Sequence, residues 1–176
     1  MKEFCLKKVS TLNFGIVLAI AFSVAGFYFL LYFLLIGYFK LSFLIGLFFL
    51  IFISVYGIMQ YYASDLTLKF NKDDLCIIKK GVEKKYAKAD ILGFYSQDYE
   101  HMGANERAVV SILIKLNNGK TLSLSDIELN AKFYNQEKLI NLKQLLKTAQ
   151  TELGFRKVKK SVLRSLLKLG PYWYSK

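Results

Sequence analysis

Between Leu12 and Ala63 the chain shows no polar alternation. Phe, Leu, Ile, Tyr, Ala and Gly dominate the run, and its single charge is Lys40. A bilayer core about 30 Å thick is crossed by roughly 20 helical residues. The run is too long for one span and fits two joined by a tight reversal. Residues 12–36 and 42–62 are the predicted spans, with 37–41 as the turn. An ammonium group costs on the order of 3 kcal/mol at mid-membrane and little at the interface, which puts Lys40 at the outer surface of a helical hairpin. Gly37 frees the backbone for the reversal. A hairpin buried in a soluble core would need a polar face on each helix, and these have none.

From residue 64 the apolar positions become periodic. In "LTLKF" Leu66, Leu68 and Phe70 share one face, as expected of a strand. "NKDD" reads as a turn, "LCIIKK" as a second strand, and Gly81 breaks the chain before "VEKKYAK". "ADILGFYSQDY" predicts a short connection and a fourth strand, and "HMGANER" an exposed loop. "AVVSILIKL" and "KTLSLSD" flank "NNG", where Asn118 and Gly119 suit a type I′ hairpin turn. Period then lengthens: Leu142, Leu145, Leu146, Ala149 and Leu153 recur at helical spacing, predicting an amphipathic helix over the sheet. The expected class is α+β. Four segments follow: a cytoplasmic N-terminal segment 1–11, a transmembrane hairpin 12–63, a folded domain 64–150 including its capping helix, and a tail 151–176.

Charge orients the hairpin. The chain carries a net +12. Lys2, Lys7 and Lys8 precede the first span, and Lys69, Lys72, Lys79 and Lys80 follow the second, against Lys40 alone in the turn. The positive-inside rule puts both termini in the cytoplasm. "MKEFCLKK" has the charge of a secretory leader, but the apolar run goes far beyond a leader's h-region. Two cysteines, Cys5 and Cys76, make no disulfide framework and suit a reducing compartment.

Two apolar spans, a run of antiparallel strands and a helix after the last hairpin resemble the membrane-anchored bacterial pleckstrin-homology-like (PH-like) proteins. The matching stretches are "LTLKFNKDDLCIIKKG", "EKKYAKADILGFY" with its "KADI", "SILIKLNNGKTLSLSD" and the helix from about Ala131. The resemblance covers roughly residues 11–150. It implies a two-helix transmembrane hairpin followed by a PH-like antiparallel β-barrel or sheet capped by a C-terminal helix. It also implies an integral protein of the bacterial inner membrane without enzymatic activity. Inositol-phosphate-binding members concentrate basic residues between their first two strands; the loop matched to it here mixes Lys72 with Asp73 and Asp74, so that site is not carried over.

Candidate chemistry is sparse. His101 is the single histidine, near Asp98 and Glu100 in "DYEHMG", and a solvated loop is expected there rather than a metal or acid/base site. Cys76 alternates within a strand and is expected to pack as a small apolar residue, since no base and orienting group accompany it. No catalytic residue, metal or cofactor is expected.

The basic tail carries the best physical case. "FRKVKKSVLRSLLKLGPYWYSK" contains Arg156, Lys157, Lys159, Lys160, Arg164, Lys168 and Lys176 and no acid. On a helical wheel Phe155, Val158, Val162, Leu166 and Leu169 gather opposite Lys157, Lys160, Arg164 and Lys168. Gly170-Pro171 ends the helix, and "YWY" adds interfacial aromatics. The reading is a basic amphipathic helix on an anionic inner leaflet, with Arg156, Lys157, Lys160, Arg164, Lys168 and Trp173 as lipid contacts. Packing of the apolar stripe on the domain or on a second copy stays open. So does nucleic-acid binding, although lysine-rich flanks of the spans explain much of the charge without it. The expected function is a membrane-anchored, non-catalytic binding or assembly module whose partners are the bilayer and a protein, a second copy included. The alternative is an immunity-type protein that binds a toxin or a competing membrane complex.

Overall fold

A computed structural model describes every residue except 1, 13, 36–40, 104–107, 127–134 and 168. The chain divides into two units: residues 12–62, and residues 1–11 together with 63–176.

The first unit is a pair of helices, α1 (Phe14–Leu35) and α2 (Leu41–Tyr62). Twenty-two residues at 1.5 Å each give about 33 Å of helix. Both are long and apolar enough to cross a membrane. They are apolar on every side: Phe22, Leu34 and Phe48 are exposed, while Tyr32 and Leu47 are covered. The turn expected at 37–41, with Lys40, lies outside the described residues.

The second unit is an antiparallel sheet under a helix. Its strands are β1 (Lys2–Ser10), β2 (Ala63–Phe70), β3 (Asp74–Lys79), β4 (Val82–Ala87), β5 (Ile91–Ser96), β6 (Ser111–Leu116), β7 (Thr121–Asp126), β8 (Arg156–Lys160) and β9 (Tyr172–Ser175). The order across the sheet is β4-β3-β2-β1-β7-β6-β5-β9-β8. The fold is α+β, with two apolar helices near the N-terminus, an antiparallel sheet and a helix after it.

Two expectations about the ends of the chain are corrected. The N-terminal segment is not a free extension. Strand β1 sits near the middle of the sheet, pairing Phe4 with Leu68 and Leu6 with Leu66, then Val9 and Ser10 with β7. Its period-two pattern is interrupted by "KK": Phe4, Leu6 and Val9 are buried, and the register shifts between Leu6 and Val9, with Lys8 at φ 51°. That irregularity absorbs one extra residue and hides the strand from a search for strict alternation.

The tail is likewise not one amphipathic helix and not a separate segment. Helix α3 (Gln136–Leu153) is capped by the Asn135 side chain and stopped by Gly154 at φ 65°. Beyond it the chain runs as β8, a short helix α4 (Val162–Leu166) and β9, which pairs with β5. Phe155, grouped by the wheel into an apolar stripe, is buried, and Tyr174 stacks on Phe94 at 4.9 Å. The lysines of "RKVKK" suit an edge strand as well as a helix face, because charge on an edge discourages strand-to-strand aggregation.

The hairpin turns also differ from expectation. Lys115 pairs with Thr121, and Leu116 and Lys120 bond across a three-residue loop in which Gly119 alone has positive φ. The two-residue turn with both φ positive is Lys80-Gly81, between Lys79 and Val82, which is the type I′ signature.

Helix α3 buries Leu139, Leu142, Leu145, Leu146 and Leu153 against the sheet. Tyr99, fully buried, donates its hydroxyl to Val109 O at 2.8 Å and accepts from Ser111 N at 3.1 Å. Burial pushes its phenol up to about 12, against about 10 in an unfolded chain. An acid raised on folding contributes stability that is complete below about pH 10 and lost by about pH 12, worth on the order of 3 kcal/mol. Tyr99→Phe leaves Val109 O and Ser111 N without the hydroxyl, so it should melt lower than the parent at neutral pH, and the gap should narrow as the parent phenol ionises through that window. A constant gap in pH-resolved thermal melts would show that Tyr99 does not titrate this way.

Candidate membrane-facing surface

One rim of the sheet can be followed residue by residue. Ala63 pairs with Ser10, Ser10 with Ser125, and Ser125 with Ser111. Across β5 the rim continues through Ser96, which pairs with Tyr172, and Tyr172 pairs with Lys160. The chain leaves this rim for the helices at Thr11 and returns at Ala63. Residues 161–167, containing α4, and 169–171 join β8 to β9 at the same rim. Gly170 seats them there: a Cβ at that position would lie 2.5 Å from Ser111 O and 2.9 Å from Ser96 C.

The β3–β4 turn adds basic groups at this rim. Lys79 Nζ donates to Thr11 Oγ1 at 2.7 Å. Burial first, then the neighbouring Lys80 and Lys84, lowers the Lys79 ammonium below the usual lysine range.

The residues assigned to lipid by sequence fall into two groups. Arg156 and Lys160 are exposed on β8, and Lys160 Nζ lies 5.5 Å from the Tyr172 ring centre. The others are engaged within the domain. Lys157 Nζ bonds Asp98 Oδ2 at 2.7 Å. Arg164 lies 4.5 Å over the Tyr95 ring and donates Nε to Gly170 O at 3.0 Å; burial lowers its guanidinium from the usual value. Trp173 packs on Tyr95 at 4.7 Å, over Gly93, with Lys115 Nζ 5.8 Å from its ring. Lys168 is outside the described residues.

Sequence reasoning missed the apolar surface of α4. Val162, Leu163 and Leu166 are 75%, 67% and 76% exposed, and Leu167 is 48% exposed. The wheel grouped Val162 and Leu166 with Phe155 and Leu169 because it carried one helix through Gly154 and the strand. The local signal was present in Ser161, whose side chain caps α4 by accepting from Arg164 N at 3.4 Å.

Other clusters offer less. Asp98, Glu100 and His101 have ligand atoms within 4.8 Å of one another. Burial opposes the Asp98 charge, yet bonds from His101 at 3.0 Å and Lys157 hold its carboxyl below the usual range. The Cys76 thiol is buried and donates to Glu83 Oε1 at 2.8 Å; burial and then that carboxylate push its pKa up, opposite to an activated nucleophile. Under α3 a cavity of about 30 Å³ is walled by Leu68, Phe94, Leu146 and Leu153. Ser96 and Tyr99 also line it, and its volume matches a water or two.

No family model, curated protein or solved structure matches this chain.

Proposed function

We propose that the chain is a membrane-anchored, non-catalytic binding or assembly module, its PH-like folded unit held on the cytoplasmic face of a bacterial inner membrane. The observation that carries this reading is the pairing of Ser10 with Ala63. The two apolar helices are inserted between adjacent strands of one sheet, so both ends of the insertion return to the same folded unit. An even number of spans satisfies that connectivity, and the lysines flanking both ends against Lys40 between them favour the cytoplasmic side. The PH-like resemblance draws support from seven consecutive antiparallel strands followed by a capping helix. With Lys2–Ser10 as the first strand, the helical hairpin occupies the connection between the first two strands, and "NKDD" is the next connection along.

The module would act by position. The helices fix the sheet near the bilayer, basic groups on the rim meet anionic headgroups at roughly 1 kcal/mol each, and the exposed β4 edge, Val82–Ala87, is left for a protein partner. Tethering raises the effective concentration of even weak contacts. Impermeant thiol labelling in intact cells tests the orientation, with Cys5 replaced by Ser. Lys40→Cys should react and Lys120→Cys should be shielded until the cells are opened. The reverse pattern would overturn the proposed topology.

A further inference from the structure

We infer that the loop between β8 and β9 is a wedge that inserts Val162, Leu163, Leu166 and Leu167 into an anionic leaflet, the one crossed by α1 and α2. This rests on the proposal that those helices span the bilayer.

Three observations converge on it. Exposure comes first. Among the other described residues of the sheet unit, the large exposed apolar ones, Val82, Leu92, Ile140 and Val158, are separated along the chain, whereas these four fall within six residues. Scattered exposed apolar residues are ordinary, but a contiguous set rimmed by charge marks an interaction surface.

Position is the second. Register puts the loop on the rim from which the chain departs into α1, at Ser10 and Thr11. Between β1 and β9 lie β7, β6 and β5, four strand spacings in all, or about 19 Å along the sheet.

Charge is the third. No acid follows Glu152 in the sequence, and the exposed Lys159 and Lys160 immediately precede the apolar residues, matching an anionic headgroup layer around an apolar interior. A protein occupant fits less well. Three side chains on a five-residue helix, with Leu167 at its C-cap, fall well short of the roughly 800 Å² per partner of a stable interface.

The loop is also built in advance. Ser161 N bonds Pro171 O at 2.8 Å, Leu169 N bonds Arg164 O at 2.8 Å, and Leu167 N bonds Leu163 O at 3.1 Å. Docking therefore has little backbone left to order.

The test uses the full chain in nanodiscs of phosphatidylcholine, with or without phosphatidylglycerol. Cys5 is changed to Ser and Cys76 to Ala, and a spin label is placed at Leu166→Cys. Reference labels at Phe48→Cys in α2 and Lys120→Cys on the opposite rim report lipid and water. In anionic discs the label at 166 should resemble that at 48, colliding with dissolved oxygen more than with a polar nickel chelate. Lys159→Gln with Lys160→Gln should lower the ratio of inserted to free loop about fivefold per charge removed. A label at 166 that tracks 120 while 48 stays in lipid overturns the wedge and leaves the anchor standing. Labels at 48 and 166 both in water overturn both. Dipolar broadening between labels at 166, with shielding from both collision partners, would point to a second copy and also overturn the wedge.

Discussion

Deleting residues 1–10 and restarting the chain at Thr11 is expected to unfold the sheet unit, although both apolar helices remain. The deletion removes β1, which joins β4-β3-β2 on one side to β7-β6-β5-β9-β8 on the other. Phe4, Leu6 and Val9 leave the core with it. Each fully buried side chain of this size contributes about 1.5–3 kcal/mol, so the three approach the 5–15 kcal/mol of a whole domain. The β2 backbone also loses its partners from Lys2 to Ser10, and an unpaired buried strand carries a further penalty. Limited trypsin digestion of detergent-solubilised protein is the readout. The parent should leave a resistant fragment covering the sheet, and the deletion should leave none. A milder version separates packing from pairing: Leu6→Ala should cost about 2–5 kcal/mol, and the exposed Lys7→Ala close to nothing. An undiminished resistant fragment in the deletion would mean the sheet holds without its bridging strand.

Gly93→Ala should have the second largest effect. A Cβ there would sit 2.4 Å from Trp173 Cζ2 and 2.5 Å from Tyr174 O. The indole can swing aside, but the carbonyl belongs to the β9 backbone, whose Tyr174 pairs with Phe94. Relief of the clash therefore pries β9 from β5 and takes β8 and α4 with it. Overpacking of this kind costs about 1–3 kcal/mol, or more where backbone must move. Trp173 is the single tryptophan, so its emission reports the event directly. The expected result is a red-shifted maximum and a lower melting temperature, with Gly26→Ala, which meets open space, as the unaffected control. Unchanged emission and melting in Gly93→Ala would refute the close packing of β9 on β5.

The two ends of the chain separate what was legible from what was not. Strands β2 to β7 and helix α3 could be read because their apolar residues recur at the period of their own element. At β1 the irregularity between Leu6 and Val9 breaks that period, and a nine-residue strand beside a long apolar run reads as a basic flank. At the tail, five residues of "RKVKK" satisfy a helix face and an exposed edge strand equally well. The free edge of β5 decides between them, by supplying β9 with hydrogen-bond partners and Tyr174 with a place on Phe94. The lipid-contact assignments follow the same division: the basic composition was visible, but Arg164 and Trp173 turn out to stack within the domain, and the exposed apolar set belongs to α4.

The sequence by itself determined two uniformly apolar helices, the basic character of the chain, and the periodic strands with their capping helix. Burial and periodicity are local properties written in neighbouring residues. Only the tertiary structure decided that the N-terminal residues bridge the sheet, that the tail returns as strands, and that the loop with α4 shares a rim with Ser10 and Ala63. Those facts depend on which distant backbone satisfies an open strand edge, and no local pattern of apolar residues encodes that choice.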